Sequence, residues 1–143
     1  MINELTRHLV ATIKYRFNKA IMYGDNEFGE FSLDKGSRSI NEILIHVIEV
    51  LDWATEQITN KQKEVIVHSE FELLVNEFIK KIDQFEMNLS DHQIDIDLTK
   101  KLIQGPLSDI LTHIGQIAML SRLNDKPIEK EDFSEARIKP KMN

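Results

Sequence analysis

Apolar residues recur at helical spacing in four stretches of the chain. In the first, Leu5, Leu9, Ile13, Phe17 and Ile21 return every four residues, with Val10 and Ala20 beside them, and this predicts a helix from about Asn3 to Tyr23. Gly24 supplies a stop, and residues 24–38, which carry Gly24, Gly29 and Gly36, read as a loop. The second helix opens at Ser39. Ser39 and Glu42 form an S-x-x-E capping box, which gives partners to two backbone N–H groups that the first helical turn leaves orphaned. Ile40, Ile43, Leu44, Val47, Leu51, Ala54 and Ile58 make its apolar face, and the polar run Thr59-Asn60-Lys61-Gln62-Lys63 ends it.

Val65-Ile66-Val67 looks extended, but one short strand has nothing to pair with, so the segment reads as part of a crossover connection. Ser69 and Glu72 suggest a second capping box, opening a third helix whose inner face is Phe71, Leu74, Val75, Phe78, Ile79, Ile82 and Phe85. Residues 89–97 are polar and read as a loop, with a short helical stretch at Leu98–Ile103. The fourth main helix is expected from Gly105-Pro106, with Pro106 at the first helical position, to about Leu123. Beyond Asn124-Asp125 the chain is proline-punctuated and of mixed charge, and is expected to wrap the helices without adding a fifth core helix.

Four helices with one apolar face each can bury those faces only against one another, so the expected fold is all-α, a four-helix bundle with an irregular C-terminal tail. The long second-to-third and third-to-fourth connections allow crossovers, so a simple up-down-up-down order is not implied. At 143 residues the chain fits one domain, 1–143, with enough length to bury a core without disulfides. It has no cysteine, which excludes disulfides, thiolate nucleophiles and Cys-ligand zinc sites. The start Met1-Ile2-Asn3-Glu4-Leu5 lacks the basic, then apolar, pattern of a signal peptide, so a cytoplasmic location is expected. No window approaches the roughly 20 apolar residues of a membrane span. A net charge of −6 with scattered lysines and arginines argues against a phosphate backbone as partner.

The candidate chemistry lies on the second and fourth helices. Asp109 and His113 are four apart, one turn above each other. At about 100° per residue, the apolar centre of the fourth helix falls among Ile110, Ile114, Ile117 and Ser121, which puts Asp109 and His113 together on one flank. The same arithmetic puts His46 on the flank of the second helix, near Trp53 one heptad later. Flank positions on two packed helices can converge at the rim of the core, and two imidazoles with a carboxylate form a donor set for a divalent ion. Three protein ligands would leave open positions for water or substrate. Gln116, one turn beyond His113, could orient that ring. The plain alternative is that His46 and His113 are half-buried flank histidines and Asp109 a first-turn carboxylate favoured by the helix dipole. His8 reads as a rim residue of the first helix, and His68 and His92 as exposed loop-flanking residues.

The stretch Thr112–Leu120, with His113, Gly115 and Gln116 followed by Arg122-Leu123, resembles the H-x-G-Q signature on the last core helix of the DinB-like (DinB/YfiT) superfamily. Arg38–His46, with Trp53 seven residues on, resembles that family's second helix and its ligand histidine, and Pro127–Phe133 resembles the segment after the last helix in a subgroup. The resemblance covers almost the whole chain in order. It implies a four-helix bundle, often a homodimer, carrying one divalent ion, commonly zinc or nickel, held by three histidines. It also implies thiol-dependent transferase or isomerase chemistry on a small molecule, and an ion that activates a bound water admits a hydrolase as well. This sequence departs from the pattern at Asp109, where the family often has a first histidine; an aspartate site is harder and more anionic, which admits manganese or iron. The rival expectation is a non-catalytic stress-response bundle that binds a small molecule or partner and has a degenerate metal site.

Overall fold

The computed structural model describes residues 1–62 and 64–140; Lys63, the last residue of the predicted polar stop, and residues 141–143 lie outside it. The chain is all-helical, with no strand among the described residues. Four long helices, α1 (Glu4–Ala20), α3 (Ile40–Thr59), α4 (Phe71–Asp91) and α6 (Ser108–Leu123), are joined by short ones, α2 (Asn26–Gly29) and α5 (Ile96–Leu102). No helix among the described residues is long and apolar enough to cross a membrane.

The long helices share one core. Ile13 and Phe17 of α1, Leu44 and Val47 of α3, Phe78 and Phe85 of α4, and Ile110 and Ile117 of α6 are all fully buried. The Phe17 and Phe78 rings pack at 4.1 Å between centroids. Helix α1 contacts α4 and α6, and α3 contacts the same two, so α1 and α3 face each other across the core. Direction follows from side-chain pairs. Arg7 meets Glu86 and Lys14 meets Asp83, so α1 and α4 are antiparallel. Asn41 donates to the carbonyl of Ser69 and Lys81 pairs with Asp52, so α3 and α4 run parallel. His46 meets Asp109, and Ile43 lies by Leu120, so α3 and α6 are antiparallel. The order is therefore up, down, down, up. A parallel α3–α4 pair requires the long return 60–70. Its segment Val65-Ile66-Val67 is not a strand: Val65 and Val67 are exposed and Ile66 packs on the core.

Several expectations change for physical reasons. Leu5 is 83% exposed, while Thr6 and Arg7 are buried in its place. A strict four-residue recurrence advances about 400° per step and drifts about 40° each time, so Ile13 and Phe17 are fully buried, Leu9 and Ile21 pack on the core at its edge, and Leu5 turns outward. Helix α1 also stops at Ala20 rather than Tyr23. Residues 24–38 are not all loop. Asp25 accepts from the N–H of Phe28 and caps α2, which drives the Phe28 ring into the core.

The Ser39–Glu42 capping box is present in both directions, whereas the Ser69–Glu72 box is not. Glu70 is the N-cap of α4, and the N–H of Glu72 donates to Asn26 of α2 instead. A distant amide thus replaces the local cap. Helix α4 continues through Leu89, which is fully buried, so the loop starts only at His92 and α5 begins early, capped by Asp95. Pro106 does not start a helix. It sits inside a π-helical turn, Ile103–Leu107, that joins α5 to α6 without a break; the wider turn leaves room for a residue that cannot donate to the helical ladder.

Past Asn124 the tail lies on α1. Tyr15 donates to Glu131, Tyr23 donates to Glu129, Lys19 pairs with Glu131 at 3.0 Å, and the Arg16 guanidinium sits 4.3 Å over the Phe133 ring. Only a short 3-10 turn, Phe133–Glu135, forms within it.

Candidate metal centre

The antiparallel packing of α3 on α6 brings His46, Asp109 and His113 together. The apolar centre of α6 is buried as its periodicity requires, with Ile110, Ile114, Ile117 and Ser121 facing the core, so Asp109 and His113 emerge on the flank that meets α3. Each of the three residues offers a donor atom, and these atoms lie within 4.8 Å of one another. His46 Nε2–H donates to Asp109 Oδ2 at 3.0 Å. His113 Nε2 lies 3.4 Å from the other carboxylate oxygen, Oδ1. The imidazoles meet edge to face, 4.7 Å between centroids at 80°.

Gln116 sets the state of His113. The Nδ1–H of His113 donates to Gln116 Oε1 at 2.8 Å, so in the neutral ring the Nε2 lone pair faces the site. A lone pair and a carboxylate oxygen 3.4 Å apart repel unless a proton or a metal ion stands between them. The spacing also suits an ion. Donors at about 2.0–2.1 Å from zinc lie about 3.3–3.4 Å apart across a tetrahedral angle and about 3.0 Å apart across a right angle. The two observed contacts, 3.0 Å from His46 Nε2 to Oδ2 and 3.4 Å from His113 Nε2 to Oδ1, are of this size and end on the two different oxygens of Asp109.

Two hollows flank the group. The larger, about 610 Å³, is walled by Val50, Trp53, Gln104, Pro106 and Thr112 and reaches Asp109, whose side chain is 43% exposed. Lys101 lies 5.6 Å over the Trp53 ring. The smaller, about 320 Å³, reaches His113 and Gln116 from the other side. Trp53 and Asp109 line the larger hollow, His113 and Gln116 the smaller, and His46 lines neither. The π-helical turn forms part of the larger wall, and nothing in the local pattern around Pro106 signalled it.

The acids of the tail and the other histidines are elsewhere. Glu131 is held by Tyr15 and Lys19, and Asp132 caps the tail's 3-10 turn. His8 and His92 are exposed, and His68, expected to be exposed, is half-buried. The tail acids have shifted protonation. The phenol of Tyr15 and then the ammonium of Lys19 hold Glu131 below the usual glutamate value, and the phenol of Tyr23 does the same for Glu129. The Glu131 carboxylate in turn raises Tyr15 and Lys19. A scan against protein-family models finds no match, and searches of curated proteins and of solved structures likewise find none.

Proposed function

We propose that this chain is a four-helix bundle of the DinB-like kind, with crossover connections, that binds one divalent metal ion through His46, Asp109 and His113 and acts on a small molecule. The single observation that carries the reading is the convergence of three donors from two helices, with the Gln116-held lone pair of His113 facing the Asp109 carboxylate. Three protein ligands leave the ion open, as a catalytic site requires. Zinc or nickel suits two imidazoles, and the aspartate extends the range to manganese and iron.

The ion, when bound, supplies a positive charge that polarises a substrate oxygen or thiol. The chain's own residues do the rest. Gln116 keeps the proton of His113 on Nδ1 and the ring in register. Asp109 is held between both rings and reaches the larger hollow, where it could accept a proton from a bound molecule. Trp53, Val50 and Pro106 offer that molecule an apolar wall, and Gln104 and Thr112 offer polar groups to orient it. Hydrolase and thiol-dependent transferase reactions both fit such a site. A two-fold dimer, a cytoplasmic location and the absence of a nucleic-acid or membrane partner belong to the same proposal.

Elemental analysis of protein purified without a histidine tag tests the reading. The expected result is about one zinc, nickel, manganese or iron per chain. Protein that is metal-free and takes up none of these ions in calorimetry refutes it. One observation favours a second reading, a binding bundle with a degenerate site: the direct 3.0 Å bond from His46 to Asp109 already ties α3 to α6 without an ion. In that case Asp109→Ala would lower stability in protein that takes up no metal.

A further inference from the structure

The smaller hollow has a chemistry of its own. Its walls are Ile43 of α3 and Met119 and Leu120 of α6, with Leu33 and Arg38 from the loop that precedes α3. Leu33 is 40% and Met119 52% exposed, so two large apolar side chains face the opening of the hollow without cover. Methionine and leucine at such a mouth give an adaptable apolar lining. The single full charge in that lining is Arg38. The Glu42 carboxylate, which feels the charge of Arg38, is already engaged: it accepts from the backbone N–H of Ser39 in the capping box. Arg38 lowers the Glu42 carboxyl only through space, after the Ser39 hydrogen bonds, and makes no ion pair with an acid among the described residues. His113 and Gln116 complete its lining.

We infer that this hollow binds a small molecule with an anionic head and a short apolar body, the head paired with the Arg38 guanidinium and the body along Ile43, Leu120 and Met119 toward His113. The volume, about 320 Å³, lies at the small end of ligand pockets, which suits a short-chain acid rather than a large cofactor. A planar guanidinium grips a carboxylate or a phosphate with two parallel hydrogen bonds, so either head fits. The loop can hold the arginine in place. Ser37 Oγ accepts from the N–H of Leu33, which closes residues 33–37 on themselves, and Gly36 takes a left-handed φ of 74° that this turn requires. The inference goes beyond the metal reading and does not need the ion: the molecule would approach the centre from the His113 side, while the larger hollow approaches it from the Asp109 side.

The test is calorimetric titration of the whole chain with four probes of equal chain length: hexanoate, hexyl phosphate, hexanol and hexylamine. Each is run on chelator-treated and on zinc-treated protein, and the imidazole signals of His113 are followed by NMR. Hexanoate or hexyl phosphate should bind at least ten-fold more tightly than hexanol, hexylamine should not bind, and the His113 signals should move. The stronger of the two acids identifies the preferred head. Arg38→Ala should weaken the acid at least ten-fold and Arg38→Lys less, with circular dichroism unchanged; the residue is exposed, so the fold should survive. Equal binding of hexanol and hexanoate, or an Arg38→Ala variant that binds as the native chain does, overturns the inference. So does acid binding that disappears with the metal and ignores Arg38, a result that would leave the metal reading standing. Binding that depends on Arg38 in protein that takes up none of zinc, nickel, manganese and iron would support the inference and sink the metal reading instead.

Discussion

Removing the Gln116 side chain isolates the support of one proposed ligand while leaving all three proposed ligands in place. In Gln116→Ala the Nδ1–H of His113 loses its 2.8 Å acceptor, and the ring is free to flip or change tautomer. Loss of such a partner typically costs ten- to hundred-fold in metal affinity. Gln116 is exposed, so water can replace part of the bond, and the expected loss is about ten-fold, or about 1.4 kcal/mol. The consequence for stability can be worked through. Zinc at a hundred times its dissociation constant stabilises a folded protein by about 2.7 kcal/mol. A ten-fold weaker site at the same zinc concentration yields about 1.4 kcal/mol, half the gain. For a chain of this length the native protein should melt roughly 10 °C higher with zinc than without, and the variant roughly 5 °C higher. His113→Ala should show no zinc-dependent shift, while His92→Ala should behave as native. The assay is a chelator competition titration paired with thermal melts at fixed zinc. Zinc affinities equal within two-fold for native, Gln116→Ala and His113→Ala would refute both the ligand set and the role of Gln116.

Phe17→Ala should destabilise by about 3–5 kcal/mol in urea unfolding, because a fully buried ring packed on Phe78 is lost; Leu5→Ala should stay within about 0.5 kcal/mol despite sharing the same apparent stripe. Glu86→Ala should cost about 3 kcal/mol or more by removing the carboxylate that balances the buried Arg7 charge, since both side chains are over 90% buried and bonded at 2.7 Å. A cost under about 1 kcal/mol in the same assay would show that water reaches the pair. The tail should loosen at both ends of the pH scale. Glu129 and Glu131 are held below the ordinary 4.5, so their contribution is present above that value and is lost as pH falls through the lower folded value. Tyr15 and Tyr23 are raised above 10.0, so theirs is present below that value and is lost as pH rises through the higher folded value. Limited proteolysis between Asn124 and Phe133 should therefore be slow near neutrality and faster at both extremes; a flat profile would show that the latch contributes nothing. Sedimentation at micromolar concentration should give a dimer, and a monomer there would count against the proposed association.

What was legible in the sequence is what depends on near neighbours in the chain. Ser39 and Glu42 are three apart, and their reciprocal cap needs only local geometry, so it forms as written. The stripe Ile110, Ile114, Ile117 and Ser121 follows from the helical repeat alone, and with it the shared flank of Asp109 and His113. Tertiary structure decided the rest. Whether His46 meets Asp109 or points into solvent depends on α3 and α6 packing antiparallel at one particular height, and helix spacing along the chain does not encode that height. The same holds for the start of α4, where Asn26 from a separate turn displaces the local Ser69–Glu72 cap, and for Pro106, whose usual reading as a helix start gives way to a continuous π-helical turn in a wall of the larger hollow. It holds also for Leu5, which shares its spacing with Ile13 but lies near the end of α1, where the drift of the stripe turns it to solvent and Arg7 reaches Glu86 instead. Local rules act within one or two turns of helix. Packing against another helix is settled by the whole set of faces at once, and it is there that the candidate site is made.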